Sequence, residues 1–88
     1  ARTVSLENGK VPSEALLTDI GPTLAVISYF TDRAPNILAP ERIHLALAKH
    51  RRSFITYQPK GVIAAISPWN FPFFLPGSDV VMSLIAGT

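Results

Sequence analysis

The sequence predicts an α/β fold: a helix, a β-hairpin, then a strand of a parallel sheet and a second helix. Three observations carry that expectation. Val62 to Ile66 is an unbroken apolar run between Gly61 and the Ser67-Pro68 pair, which is how a strand buried on both faces reads. Leu16, Ile20, Leu24, Ile27 and Phe30 recur at the spacing of one α-helical face. Phe71 to Ala86 is again apolar and closes on Gly87, a residue suited to the left-handed stop of a helix.

The elements follow in order. Thr3 to Glu7 reads as the tail of a helix, because Asn8-Gly9 is a stop signal. Pro12 suits the first turn of the next helix and Glu14 the positive end of its dipole. Gly21-Pro22 interrupts that helix, since Pro22 removes a donor and crowds the turn before it. The expectation is a kink or two abutting helices, ending near Arg33-Ala34 before Pro35. Residues 36–41 form a loop. Ile43, Leu45 and Leu47 then alternate with His44, Ala46 and Ala48, a period of two that reads as a strand. Lys49-His50-Arg51-Arg52 is the turn, and Phe54 to Tyr57 the return strand. Pro68 ends the central strand and leaves Trp69 and Asn70 in a loop at its carboxyl end, the edge where open α/β sheets bind ligands. In the last helix Val80, Val81, Leu84 and Ile85 form the inward stripe. Pro76-Gly77 disturbs its start, and Ser78 is placed to cap a fresh beginning at Asp79.

Composition bounds the function classes. The chain has 88 residues, so it holds one domain at most, spanning 1–88. It is 48% hydrophobic and only 16% charged, with a mean hydropathy of +0.29. That balance predicts a piece of a larger core. A net charge of +2 is too small to imply a nucleic-acid or anionic-membrane partner. There is no cysteine, hence no disulfide framework and no cysteine metal site. Ala1 to Lys10 lacks an apolar signal core. Val62 to Leu75 is too short for a bilayer span and is broken by Pro68, Asn70 and Pro72. A soluble, cytoplasmic protein is expected. His44 and His50 are isolated and predict no metal site. The basic run 49–52 reads as a solvated turn. Serine-hydrolase, phosphate-loop and Gly-x-Gly-x-x-Gly motifs are absent.

The candidate chemistry sits at Asn70. A side-chain amide held at a strand's carboxyl end is a neutral donor able to bind a developing oxyanion. The plainer reading is a helix cap, since Asn70 precedes Phe71-Pro72.

Tyr57-x-Pro59-x-Gly61-Val62-Ile63-x-x-Ile66-x-Pro68-Trp69-Asn70-Phe71-Pro72, followed by Ala86-Gly87 at the end of the next helix, resembles the aldehyde dehydrogenase superfamily. Pro-Trp-Asn-Phe-Pro after a Gly-Val-Ile strand is a specific signal. Glu7-Asn8-Gly9-Lys10-x-Pro12-x-Glu14-Ala15 is similar to the family's turn before a long helix. The resemblance is dense from Tyr57 to Thr88 and thin between Asp32 and Ser53.

It implies a partial piece of the family's Rossmann-like cofactor-binding domain, with 43–58 as a bridging hairpin that pairs subunits into a homo-oligomer. It implies oxidation of an aldehyde substrate to a carboxylic acid with NAD or NADP, through a cysteine thiolate that adds to the carbonyl. Asn70 would be the catalytic oxyanion donor. Ser67, Pro68, Trp69 and Asn70 would run beside the nicotinamide and its ribose. Phe71, Leu75 and Ser78, spaced to share a helix face, would line the substrate tunnel, as an alternative to ordinary packing. Many relatives carry Trp-Lys where this chain has Ser78-Asp79, and the small Ser78 points to a wider tunnel. The family's cysteine nucleophile, general-base glutamate and ribose-gripping lysine lie downstream of the residues matched here. The 88 residues alone are therefore expected to be inactive. The competing expectation is a small non-enzymatic α/β binding or assembly module derived from the family.

Overall fold

A computed structural model describes residues 1–47 and 50–87. The end of the alternating run at Ala48, the start of the basic turn at Lys49 and the end of the family resemblance at Thr88 lie outside the described residues.

Helix α1 spans Arg2–Asn8 and stops at Gly9, whose φ of 78° is left-handed and whose N–H returns to the Ser5 carbonyl. Glycine takes that conformation without a Cβ penalty. Helix α2, Pro12–Ala15, opens on Pro12 where no donor is needed. A π-helical turn, Leu16–Ile20, follows and leads directly into α3, Gly21–Ile37. Pro22 explains this turn. Its ring would crowd the Thr18 carbonyl in an unbroken α-helix. The wider turn, with the Gly21 N–H bonded back to the Leu16 carbonyl, makes room. The expected kink thus takes the form of a π turn.

Two expectations for this helix are corrected. It does not end near Arg33-Ala34 but runs through Pro35 to Ile37, and the Leu38 N–H closes the last turn on the Ala34 carbonyl at 2.9 Å. The packed face also differs. Leu16, Leu24 and Ile27 are exposed, whereas Ala15, Asp19, Thr23 and Ala34 are buried. The helical period is kept, but the buried stripe is offset from the large apolar residues onto small and polar ones.

Helix α4, Phe74–Ile85, lies against that stripe. A Cβ on Gly77 would come within 3.3 Å of Thr23 Cγ2, so the two helices touch almost backbone to side chain there. Further along, Ile85 shares a cavity wall with Phe30, Ala34 and Leu38. The helices therefore run side by side in the same direction. Helix α4 begins at Phe74 rather than Phe71, and Pro76 and Gly77 fall inside its first turns with no restart at Ser78. Pro76 is tolerated because the first turn has no intrahelical acceptors to satisfy its missing donor. Gly87, at φ 88°, ends the element, its N–H bonded to the Leu84 carbonyl. The inward stripe is corrected as well: Val81 and Ile85 are half-buried, but Val80 and Leu84 are exposed. These two line a 330 Å³ groove shared with Gly61, Val62, Ile63 and Ala65.

The sheet is one antiparallel hairpin of β1, Glu41–Ile43, and β2, Ser53–Ile55, with Arg42 opposite Phe54. It is shorter than the expected 43–58 hairpin and starts two residues earlier, since β1 begins at Glu41. His44, Leu45, Ala46 and Leu47 belong to the loop, not to a strand. Val62 to Ile66 is not a parallel-sheet strand here: no described segment pairs with it, and Val62 and Ile66 are fully exposed. A strand needs a neighbour to be a strand, and the only ladder among the described residues is the hairpin.

The radius of gyration is 18.6 Å, against about 12 Å for a compact chain of this length. The buried apolar residues are Ala15 and Ala34 alone among those described. Polar contacts carry the helix packing instead. Asp19, wholly buried, accepts the N–H groups of Phe73 and Phe74 on Oδ1, both at 3.1 Å. Its Oδ2 takes Lys10 Nζ at 2.8 Å. Charged hydrogen bonds of this kind contribute about 1.5–3 kcal/mol each, before the desolvation of the ions is set against them.

Burial by itself pushes the Asp19 carboxyl up. The hydrogen bond from Lys10, the two backbone N–H groups and the Lys10 charge outweigh it and hold the carboxyl below its ordinary range. A lowered folded value means stability that is present above the unfolded value, about 3.9, and lost as pH falls through the folded one. Asp19→Asn should lower stability at neutral pH by about 1.5–3 kcal/mol. The gap to wild type should shrink on acidification below about pH 4. Denaturant melts of both at several pH values check this, and a gap constant with pH would refute it. A second expectation follows from Val62 to Ile66. Unpaired strand edges template pairing with other chains, so residues 1–88 expressed alone should self-associate. A clean monomer in sedimentation at micromolar concentration would count against it.

Candidate functional site

The site is the loop between the extended Val62–Ile66 segment and α4. Pro68 takes the chain out of its extended course, and residues 69–73 turn into the helix. Trp69 is 81% exposed. Asn70 is also exposed and Ser67 half-buried. Two backbone bonds shape the entry to α4: Leu75 N–H to the Phe71 carbonyl at 3.3 Å, and Gly77 N–H to the Phe73 carbonyl at 3.0 Å.

The loop is held from outside by the turn that joins α1 to α2. Asn8 Nδ2 donates to the Trp69 carbonyl at 3.1 Å. Lys10 Nζ donates to the Asn70 carbonyl at 3.0 Å and lies 4.6 Å from the centroid of the Phe71 ring. The left-handed Gly9 between Asn8 and Lys10 lets both side chains reach the same loop. Lys10 is itself fixed by Asp19, with its side chain only 8% exposed. Thr18 Oγ1 donates to the Glu14 carbonyl at 2.9 Å and Thr23 Oγ1 to the Asp19 carbonyl at 2.6 Å. These two bonds brace the π turn that carries the carboxylate.

This arrangement answers the helix-cap reading of Asn70. The first N–H groups of α4 go to Asp19, and no Asn70 side-chain atom takes part in capping. Among the described residues, the Asn70 amide has no hydrogen-bond partner, while the carbonyls of Trp69 and Asn70 both do.

The remaining expected site residues are placed as follows. Ser67 and Pro68 lie on the extended run just before the loop. Phe71 precedes the helix, so it does not share an α4 face with Leu75 and Ser78 as the spacing predicted. Its ring is covered by Lys10 on one side. Leu75 and Ser78 lie one turn apart on α4, linked by a hydrogen bond from Ser78 Oγ to the Leu75 carbonyl at 2.8 Å. All three are half-buried. His44 and His50 sit in the hairpin loop. Among the described residues, no helix is long and apolar enough to cross a membrane.

Sequence reasoning missed Asn8, Lys10 and Asp19. Lys10 stands inside the stretch similar to the family's Gly-Lys-Pro turn, which was the available signal. Asp19 gave none beyond being an acid between Thr18 and Ile20 in a helical stretch.

The family model described as "Aldehyde dehydrogenase family" matches residues 1–88. Among curated relatives, a 4,4'-diapolycopene aldehyde oxidase of Methylomonas sp is 40% identical, over 97% of this chain and 16% of its own length. A Mycolicibacterium smegmatis protein, provisionally named a succinate-semialdehyde dehydrogenase (NADP(+)), is 36% identical over 92% of this chain and 16% of its own. A Synechocystis protein with a similarly provisional name is 36% identical over 99% of this chain and 18% of its own. The chain thus spans less than a fifth of the length of these relatives. No solved structure matches it. With the family model covering every residue, and the Pro-Trp-Asn-Phe-Pro loop tied to the Asn-Gly-Lys turn, the chain belongs to the aldehyde dehydrogenase family.

Proposed function

We propose that residues 1–88 are the segment of an NAD(P)-dependent aldehyde dehydrogenase that supplies the oxyanion donor and part of the cofactor ledge. The observation that carries this is Asn70. Its backbone is held on both sides and its helix is capped by another residue, yet its amide has no partner among the described residues. An amide kept free on a fixed loop is a preorganised donor.

The reaction assigned is oxidation of an aldehyde to a carboxylic acid. The relatives' names, an aldehyde oxidase and two succinate-semialdehyde dehydrogenases, support that substrate class. Asn70 Nδ2 would donate to the carbonyl oxygen as it becomes negative under attack by a cysteine thiolate. The 88 residues contain no cysteine, so under this reading the nucleophile would come from outside them. Val62 to Ile66 would take its place in a parallel sheet of the cofactor-binding domain, and its exposed apolar side chains suit such neighbours. The 43–58 segment would act as a bridging hairpin in a homo-oligomer. Phe54, Ile55 and Tyr57 are exposed along its return strand, which suits that role.

The residues present fit a dinucleotide. From Ile66 to Pro68 the backbone makes no hydrogen bond to the described residues, and the Trp69 ring beside it is open. Ser67, Pro68, Trp69 and Asn70 would hold the nicotinamide end mainly through this backbone. NAD or NADP, when bound, supplies the two-electron oxidant. Leu75 and Ser78 would border the path of the aldehyde, with Phe71 at its base.

The test is substitution of Asn70 in the full-length enzyme. Asn70→Ala should lower kcat by about 10²–10³, or about 2.7–4 kcal/mol, with little change in cofactor Kd. A donor that meets charge only in the transition state acts on kcat. Since Asp19 caps α4, the melting temperature should hardly move. Asn70→Asp should be at least as slow, because it sets a negative charge beside the oxyanion. An Asp variant with near-normal kcat would remove the oxyanion role.

A further inference from the structure

We infer that Asn8 and Lys10, with Asp19 behind Lys10, are positioning residues that aim the Asn70 amide. The inference rests on the oxyanion reading of Asn70 and adds the residues that orient it. The Trp69 carbonyl belongs to the peptide plane before the Asn70 Cα, and the Asn70 carbonyl to the plane after it. Asn8 Nδ2 holds the first at 3.1 Å and Lys10 Nζ the second at 3.0 Å. Only φ and ψ are soft in a backbone. Fixing both flanking planes therefore fixes the two dihedrals of Asn70 and, with them, the direction of its Cα–Cβ bond.

Both donors come from one rigid source. Asn8 ends α1 and Lys10 precedes α2, with a single left-handed glycine between them. Lys10 would swing freely as an exposed side chain. Here its ammonium is clamped between the buried Asp19 carboxylate at 2.8 Å and the Phe71 ring at 4.6 Å. Asp19 uses its other oxygen on the N–H groups of Phe73 and Phe74. The same carboxylate thus ties the cation that holds residue 70 to the helix that begins at residue 74. The loop is pinned at four backbone groups, while the Asn70 amide between them stays open to a ligand.

A misplacement of about 1 Å in a reacting group costs on the order of 10²-fold in rate. Loosening either plane should therefore appear in kcat. In the full-length enzyme, Lys10→Met should lower kcat by about 10-fold or more, and Asn8→Ala by several-fold. The aldehyde KM should stay near wild type, because the ground-state carbonyl draws little on the amide. Lys10→Arg, which keeps a charged donor, should recover part of the loss. The decisive arm is the cycle with Asn70→Ala. If Lys10 and Asn8 act through Asn70, adding either substitution to Asn70→Ala should slow the enzyme no further. Multiplicative losses would overturn the positioning role and leave the oxyanion reading standing. Wild-type kcat in both Asn8→Ala and Lys10→Met, with Asn70→Ala slow, would do the same. Wild-type kcat in Asn70→Ala itself would overturn both readings. Lys10→Met strands a buried carboxylate, so Lys10→Met/Asp19→Asn, which removes both charges together, is measured beside it with a melting curve. If neither folds, the exposed Asn8→Ala and its cycle decide the matter.

Discussion

One buried ion pair ties the helices to the loop that carries Asn70. Lys10 and Asp19 lie nine residues apart in sequence, yet between them they touch the α1–α2 turn, the π turn, the 69–71 loop and the start of α4. A buried carboxylate is tolerated only if its charge and lone pairs are met. Asp19 meets that condition with one ammonium, two helix N–H groups and the Thr18 hydroxyl. Those N–H groups are among the four that any helix leaves unsatisfied at its beginning. Two needs of opposite sign are thus met by a single contact, and neither α4 nor Asp19 would be comfortable without the other. The pair's net worth is modest, because desolvation offsets much of the attraction. It also joins the start of α4 to Asp19, one turn before Thr23, the residue that Gly77 approaches.

The parts of the fold legible in the sequence are those governed by backbone chemistry. The glycine stops at Gly9 and Gly87, the proline start at Pro12, the disturbance at Gly21-Pro22 and the exit at Pro68 all follow from φ restriction or a missing donor. Such constraints act locally, and the residue type alone reveals them. Packing was less legible. Large apolar residues were expected to mark the inward face of α3, but Leu16, Leu24 and Ile27 are exposed. Close helix approach favours Ala15, Thr23 and Ala34, which a hydrophobic periodicity ranks low. The hairpin shows the same limit in another form, because alternation at Ile43, Leu45 and Leu47 promised more strand than pairing delivers.

The candidate site divides along the same line. Asn70 stood out in the sequence because its neighbours form a specific motif, and the structure places it in the loop after Pro68. Its supports did not stand out, since Asp19 lies 54 residues from Phe73 and Asn8 lies 61 residues from Trp69. No period or turn rule connects such distances. The exposed apolar surfaces at Val62, Ile66, Val80 and Leu84 have a related meaning. They match a greasy composition and an extended shape, and they suit a chain whose apolar faces are covered by other parts of a larger enzyme, as proposed above.

The division of labour around Asn70 has a physical logic. A loop that offers a donor to a ligand cannot also satisfy that donor internally. Apolar packing is a poor way to hold it, because under the proposed function the ring of Trp69 and the amide of Asn70 would both have to remain accessible. The remaining means is to bind the loop's backbone with side chains from elsewhere, and its backbone offers carbonyls at 69 and 70 and N–H groups at 73 and 74. Carbonyls call for donors and N–H groups for an acceptor. Asn8 and Lys10 are the donors, Asp19 is the acceptor, and the Lys10–Asp19 bond closes the set. An asparagine that capped its own helix would lend its side chain to α4 and lose freedom to face a ligand. With the capping moved to a carboxylate on another helix, the Asn70 amide is left without a hydrogen-bond partner among the described residues.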